Sequence, residues 1–364
     1  MAVSDAHAGS SEAANALNIV DDVQKGFHGF PVPSGPFDAS LASPALLRRY
    51  GLPPRPDPDA QPLLRQVWNR GFGAPLTLQK FPFVRAALVE ETRYQTYEIP
   101  LSDTRVETSS NWSGAYLTAN RDKQFLQIWG VWTVPAHLRL PPPPFQGRPG
   151  VEYRCATWIG LDGQRLYFDS SLPQIGTSST LKANGSTTVK AWVQWWARGI
   201  ANAQPQRLGL AVAPGNQVLA VLTAWDSQSV IFVMVNLSDM SAIAVKGTAP
   251  TVNLDGISAT PQIAGATAEW IVERPAIPNQ PLVYGKPPLY NFPDYGCIEF
   301  DLCMAVEGES VDIFSLFGGL PQDLQGERLI RMFDVLFNPA RTAFISMPRK
   351  LNDTAVRVQY GGFH

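Results

Sequence analysis

The chain has 364 residues and a formal charge of -2, with 16% of its residues charged, well under the roughly 25% usual in soluble domains. That length allows one large or two modest domains, and the near-neutral balance gives no basic footprint for nucleic acid or an anionic membrane surface. Its 32 prolines and 29 glycines point to a turn-rich, mostly β chain.

Residues 1–40 read as poorly ordered: Ala/Ser/Asp-rich first, then Gly29-Phe30-Pro31-Val32-Pro33. Met1–Asp22 lacks a basic stretch followed by an apolar core, so no classical secretory signal is read and the compartment stays open. A short helix is predicted over Ser43 to Tyr50, with Ser43-Pro44 as its cap and first turn and Gly51 as its stop. A second is predicted over Gln61 to Arg70, and the stretch from Phe81 to Tyr97 is ambiguous between helix and strand. After Thr104 the texture changes to alternating β-branched and aromatic segments separated by turn residues. Strands are predicted at 114–117, 125–134, 152–161, 166–174, 187–196, 217–223, 230–236, 266–272, 298–305, 313–315, 342–347 and 355–359. Asn184-Gly185 marks a tight hairpin before Thr187. No apolar run reaches about 18 residues, so no membrane span is expected. The pattern predicts an all-β protein, an antiparallel β-sandwich of two large packed sheets over 105–364, preceded by an extension over 1–104 with short helices.

Three cysteines make no disulfide framework. Cys297 and Cys303 fall in one strand-like run, which at about 3.3 Å per residue sets them roughly 20 Å apart, too far to bond. Cys155 has either as a possible partner, with an odd thiol left over. Four histidines without ligand spacing argue against a zinc or haem site.

Along Lys190–Gly199 taken as a strand, Trp192, Gln194 and Trp196 share one face, and Ala191, Val193 and Trp195 the other. The first face suits a groove, although an aromatic strand is more often packing. By the same alternation Glu269, Ile271 and Glu273 lie opposite Trp270 and Val272, and a carboxylate in so apolar a segment needs a partner or a function. Taken singly, Gln174 is an ordinary strand-end amide, Asp162 a turn residue before Gly163, and Trp112 a strand anchor.

Taken in order, the segments Ser110-Asn111-Trp112-Ser113-Gly114, Val134-Pro135, Trp158-Ile159-Gly160-Leu161-Asp162-Gly163, Pro173-Gln174-Ile175-Gly176, Ala191–Trp196 and Ala268–Glu273 resemble the eqolisins, the glutamic peptidases. The resemblance spans roughly 105–362. It implies a Gln174/Glu269 dyad working without metal or cofactor on polypeptide substrates, in a monomer that binds neither nucleic acid nor membrane. Glu269 would be general base and then acid, and Gln174 would orient the water and donate to the oxyanion. Trp158 and Asp162 would border the dyad, Trp112 would wall the cleft, and Trp192, Gln194 and Trp196 would line it. Carboxylate with amide suits acidic pH, where histidine is protonated and an amide donor is unaffected. Gln194 stands where the family has an acid, Trp196 where it has a tyrosine and Ser178 where it has an aspartate, which bears on pH optimum and peptide preference. For residues 1–104 two readings are open, a cleft-blocking propeptide or a permanent layer on the sandwich. Two other functions compete: a glycan-binding module using Trp112, Trp192 and Trp196, and a two-carboxylate glycosidase pairing Glu269 with Asp162.

Overall fold

The computed structural model describes residues 26–81 and 106–361, apart from 144, 146, 165–170, 183, 198–204, 255–256, 278–287, 313–314, 317 and 338–339. The strands are β1 (Phe27–Gly29), β2 (Thr77–Leu78), β3 (Val106–Ser109), β4 (Trp112–Thr118), β5 (Gln124–Thr133), β6 (Tyr153–Leu161), β7 (Ser171–Leu181), β8 (Thr187–Ala197), β9 (Gln206–Arg207) and β10 (Gln217–Asp226). They continue as β11 (Ser229–Asn236), β12 (Ser241–Thr248), β13 (Val252–Leu254), β14 (Ile257–Ala259), β15 (Thr267–Glu273), β16 (Cys297–Gly308), β17 (Leu320–Gln322), β18 (Arg328–Phe337), β19 (Ala340–Asn352) and β20 (Ala355–Tyr360). Helices α1 (Pro44–Arg49) and α2 (Pro62–Phe72) lie between β1 and β2.

Antiparallel pairing runs in one ladder, β12-β11-β10-β5-β16-β20-β19-β18-β4-β15-β6-β7-β8-β9. The ladder doubles back through β20, β19 and β18, so β5, β10 and β11 face β15, β6 and β7. Ile128, Trp132, Val218, Leu222 and Phe232 of one sheet bury against Ile159, Ile175, Val193 and Trp270 of the other. Two of the core indoles find acceptors across the interface: Trp270 Nε1 donates to the Trp129 carbonyl at 2.7 Å, and Trp132 Nε1 to Thr177 Oγ1 at 3.0 Å. The result is the expected antiparallel sandwich.

The two outer faces differ. On the first sheet Trp129, Val131, Leu219, Val221 and Val233 pack under the helices. Ser43 caps α1, its hydroxyl accepting from Leu46 N at 3.3 Å, and α2 buries the stripe Leu64, Val67, Trp68 and Phe72, an i, i+3, i+4 spacing that suits a helix on a sheet. The outer face of the second sheet carries a smaller cluster, Trp112, Tyr116, Trp158, Leu172, Trp192 and Ile271. The sandwich therefore separates the helical layer from this tryptophan-rich face.

Several expectations need correction. Residues 26–40 are ordered into the fold, since β1 pairs with β12 and Phe37 N donates to Leu76 O at 2.8 Å. Apolar contact explains it: the Phe27 ring lies 6.1 Å from that of Phe232, and Phe37 is buried. Of the strand predicted over 166–174, residues 166–170 lie outside the described residues and the rest belongs to β7, which runs on to Leu181, so Gln174 does not mark its C-terminal end. Pro173 is tolerated there because the β6–β7 pairing ends at Gln174. Of the strand predicted over 313–315, Ser315 is helical and the rest lies outside the described residues. Of the long strands, β12 and β18 were not predicted, nor were the short β1, β2, β3, β9, β13, β14 and β17. Of the ambiguous stretch only Phe81 is described. All three cysteines are free, with Cys297 and Cys303 both on β16 as expected.

Candidate active site

Directly paired residues in an antiparallel sheet point to the same face. Register therefore builds the site: Tyr116 of β4 pairs with Glu269 of β15, Glu269 with Gly160 of β6, Gly160 with Gln174 of β7, and Gln174 with Gln194 of β8. Glu269 and Gln174 flank Gly160, with backbones two strand spacings, about 10 Å, apart. Gly160 brings no side chain between them, and a Cβ there would lie 2.7 Å from Leu172 Cδ1 and 3.1 Å from the Trp158 ring. In the next row Ile271, Trp158, Gly176 and Trp192 align, and in the row beyond Glu273, Ala156, Ser178 and Lys190. Trp158 lies over Gly176, where a Cβ would meet its Cβ at 2.6 Å.

The Gln174 amide is held by its neighbour, Nε2 donating to Gln194 Oε1 at 2.9 Å. Glu269 Oε1 accepts from Gln164 N at 3.2 Å, whereas its Oε2 is buried with no hydrogen-bond partner among the described residues. Exposure is 0% for Glu269 and 1% for Gln174, so the pair is closed off from solvent. Burial pushes the Glu269 carboxyl up to about 8, the Asp162 charge adds to it, and hydrogen bonds from Thr267, Gln164 and Gly163 oppose it. Glu273 is also raised to about 8 by burial, against hydrogen bonds from Trp158 and Asn111. Trp158 Nε1 donates to Glu273 Oε2 at 2.7 Å, and the Trp112 and Trp158 rings meet edge-on at 5.0 Å.

The other sequence-predicted residues divide. Trp112, Trp158 and Trp192 share the dyad's face but are buried, and Trp196 is half-buried. Trp195 points into the core, as the alternation required. Asp162, in a left-handed turn at φ 66°, accepts from the backbone N–H groups of Ala264, Gly265 and Ala266 at 2.7, 3.2 and 2.6 Å. It thereby fixes the entry to β15 and the height of Glu269, and its oxygens are committed to amides, which leaves a glycosidase pair little support. Sequence reasoning missed Glu273 as the acceptor for the Trp158 indole and Tyr116 as the neighbour of Glu269. Glycines inside strands, at 160 and 176, were the available sign of close approach. Among the described residues, no group of three or more His, Cys, Asp or Glu side chains is placed to hold a metal.

The sequence model of the Peptidase A4 family matches residues 110–317, more than half of the chain and every strand that carries Tyr116, Gly160, Gln174, Gln194 and Glu269. The chain belongs to this family. It is a glutamic-type endopeptidase, a hydrolase of the eqolisin group, and as such acts on polypeptides. Among solved structures it is similar to a scytalido-glutamic peptidase with a peptide-based transition-state analogue, at 16% identity and TM-score 0.48, covering 69% of this chain and 98% of the other. SCP-B, an eqolisin bound to the tripeptide Ala-Ile-His, gives 16% and 0.46 over 69% of this chain and 98% of its own. Aspergilloglutamic peptidase from Aspergillus niger gives 18% and 0.40 over 57% and 99%. Curated proteins give no match.

Proposed function

We propose that this eqolisin-type peptidase cleaves peptide bonds with Glu269 and Gln174 as its reacting pair. A water admitted between them loses a proton to the Glu269 carboxylate as its oxygen attacks the scissile carbonyl. The same proton then passes to the departing amine as the C–N bond breaks. Gln174, held in one orientation by Gln194, positions the water and donates to the oxyanion, a neutral donor that acid does not remove. The register carries this reading: Glu269, Gly160 and Gln174 sit directly opposite one another on three adjacent strands.

In the closed site Glu269 is neutral up to about pH 8, and a neutral carboxyl is no base. Water entering with the substrate lowers that pKa toward the ordinary carboxylate range. Activity accordingly favours the window between 4.5 and about 8, where carboxylate and acid forms are both accessible.

Denatured protein incubated with the full chain from about pH 2 to 8 tests the pair. Glu269→Gln should lose ~10²–10⁴-fold and Gln174→Ala ~10²–10³-fold in rate. Wild-type rates in either variant would remove that residue from the reaction.

Residues 26–81 act in this reading as a permanent layer, not a cleft inhibitor. Supporting it are the strand pairings of β1 and β2 with β12 and the Arg70–Asp301 ion pair at 2.8 Å, both on the sheet remote from the dyad.

A further inference from the structure

The tryptophan face is unequal in charge at its two ends. At the β18 end, Arg328 and Tyr116 converge on Glu107, with Arg328 Nη1 at 3.6 Å and the Tyr116 hydroxyl donating at 2.5 Å, so that end is internally balanced. At the β8–β9 end, Arg207 pairs directly with Trp192, and Lys190 lies two residues from Trp192 on the same face. Both cations are exposed, and neither forms an ion pair with a carboxylate among the described residues. They are diagonal neighbours, roughly 7–8 Å apart at the backbone. The nearest other cation along this face, Arg154 in the following row of β6, is paired with Glu152 and stacked on Tyr290 at 4.2 Å. Of the carboxyls on the face, Glu269 and Glu273 are buried and Glu152 is paired with Arg154, and Ser178, opposite Lys190, is neutral.

We propose that Lys190 and Arg207 form a cationic subsite that selects peptides carrying an acidic side chain about three residues from the scissile bond. This inference rests on the peptide-cleaving reading of Glu269 and Gln174 for its scissile point. From the Gln174–Gln194 row to Lys190 is two side-chain rows, about 13 Å along the strand, and to Arg207 one row and two strands, about 12 Å. Long side chains bring their charges several ångströms closer. An extended peptide at about 3.3 Å per residue then places its acidic group roughly three residues from the cleaved bond. Trp192 between the two cations supplies the apolar floor for the stem of that side chain.

The test uses matched peptides with Glu, Gln or Lys about three residues to either side of a common centre. Binding is read by fluorescence anisotropy on the full-length Glu269→Gln protein, and cleavage on the wild type. For one of the two placements the Glu peptide should bind ~3–10-fold more tightly than the Gln peptide at low salt, an advantage shrinking at about 0.5 M salt. Lys190→Glu/Arg207→Glu should invert the order to favour Lys, and Lys190→Arg/Arg207→Lys should keep it. Equal binding of all three peptides, binding of none, or an order unchanged by charge reversal would overturn the subsite. Charge-ordered binding without cleavage by the wild type would leave the subsite standing and remove the Glu269/Gln174 reading. Cleavage without charge order would do the opposite.

Discussion

Replacing Trp68 by alanine separates the two readings of the N-terminal segment. Trp68 is fully buried in α2, its ring 5.5 Å from that of Phe72, which in turn meets Trp129 of the first sheet edge-on at 6.1 Å. Its Nε1 donates to the Pro53 carbonyl at 3.2 Å, and the Arg55 and Arg65 guanidinium groups lie 5.4 and 5.5 Å from the ring. Truncation removes the indole, leaves a cavity and strands the Pro53 acceptor, for a loss of about 4 kcal/mol. With an unfolding entropy of about 2.1 cal/mol/K per residue, 364 residues convert that into a fall in Tm of roughly 5 °C. Calorimetry on the full chain reads the shift, and peptide cleavage well below the melt reads function. Because the helical layer and the dyad lie on opposite outer faces of the sandwich, the specific activity should not rise. An unchanged Tm would mean that the layer is not integral. A gain in activity on loosening it would mean that residues 26–81 restrain the site, and would refute the permanent-layer reading.

Two further predictions follow from burial and from register. Glu269 and Glu273 hold their protons in the folded state up to about pH 8, but in the unfolded chain they release them near 4.5. The native state binds more protons across that window, so stability is full below about 4.5 and falls as pH rises through it, by on the order of several kcal/mol for the pair. Other shifted groups move below 3.8 or above 9 and do not contribute in this window. Urea midpoints at about pH 4.5 and 8 should show the fall, and Glu273→Gln should remove its share; identical slopes in wild type and variant would disprove the assignment. Gly160→Ala places a methyl 2.7 Å from Leu172 Cδ1, between the Glu269 and Gln174 positions, and should cost about 1–3 kcal/mol and, on the proposed mechanism, most of the activity. Gly35→Ala, with nothing within 4 Å of the new Cβ, should change stability by less than about 0.5 kcal/mol and leave cleavage intact. Equal effects at the two glycines would undo the argument from register.

What was legible in the sequence was whatever depends on local alternation. Trp192, Gln194 and Trp196 did separate from Val193 and Trp195, and Glu269 from Trp270, because a strand has a period of two and its faces can be counted without knowing its partners. The α1 cap at Ser43 and the hairpin at Asn184-Gly185, where Ser186 N and Oγ both donate to Asn184 Oδ1, are equally local. Register is not local. Nothing along the chain sets Gly160 between Glu269 and Gln174, a juxtaposition that joins positions more than a hundred residues apart. Strand β12 escaped because its alternation is built from small residues, Ala242 and Ala244 against Ile243 and Val245, buried on both faces; a two-sided burial pattern gives no amphipathic signal. Residues 26–40 misled for the opposite reason. Their proline-rich composition speaks for loose chain, but Phe27 and Phe37 find apolar partners that only the assembled sheet provides.

The same register explains what an amide at position 194 does. A carboxylate there would accept the Gln174 Nε2 hydrogen bond as well as Gln194 Oε1 does at 2.9 Å, so orientation of Gln174 alone does not require one residue over the other. Charge distinguishes them. Position 194 is fully buried in the row that contains Glu269, and a second carboxyl in that low-dielectric row would couple to the first, so that the protons came off as a shared pair. With Gln194 the amide is held by a neutral acceptor, and the titration of the row falls to Glu269. Its pKa is then governed by burial, which changes when water and substrate enter, more than by a fixed neighbouring charge. On the proposed mechanism, admission of water and peptide would therefore also convert Glu269 from a neutral acid into a competent base.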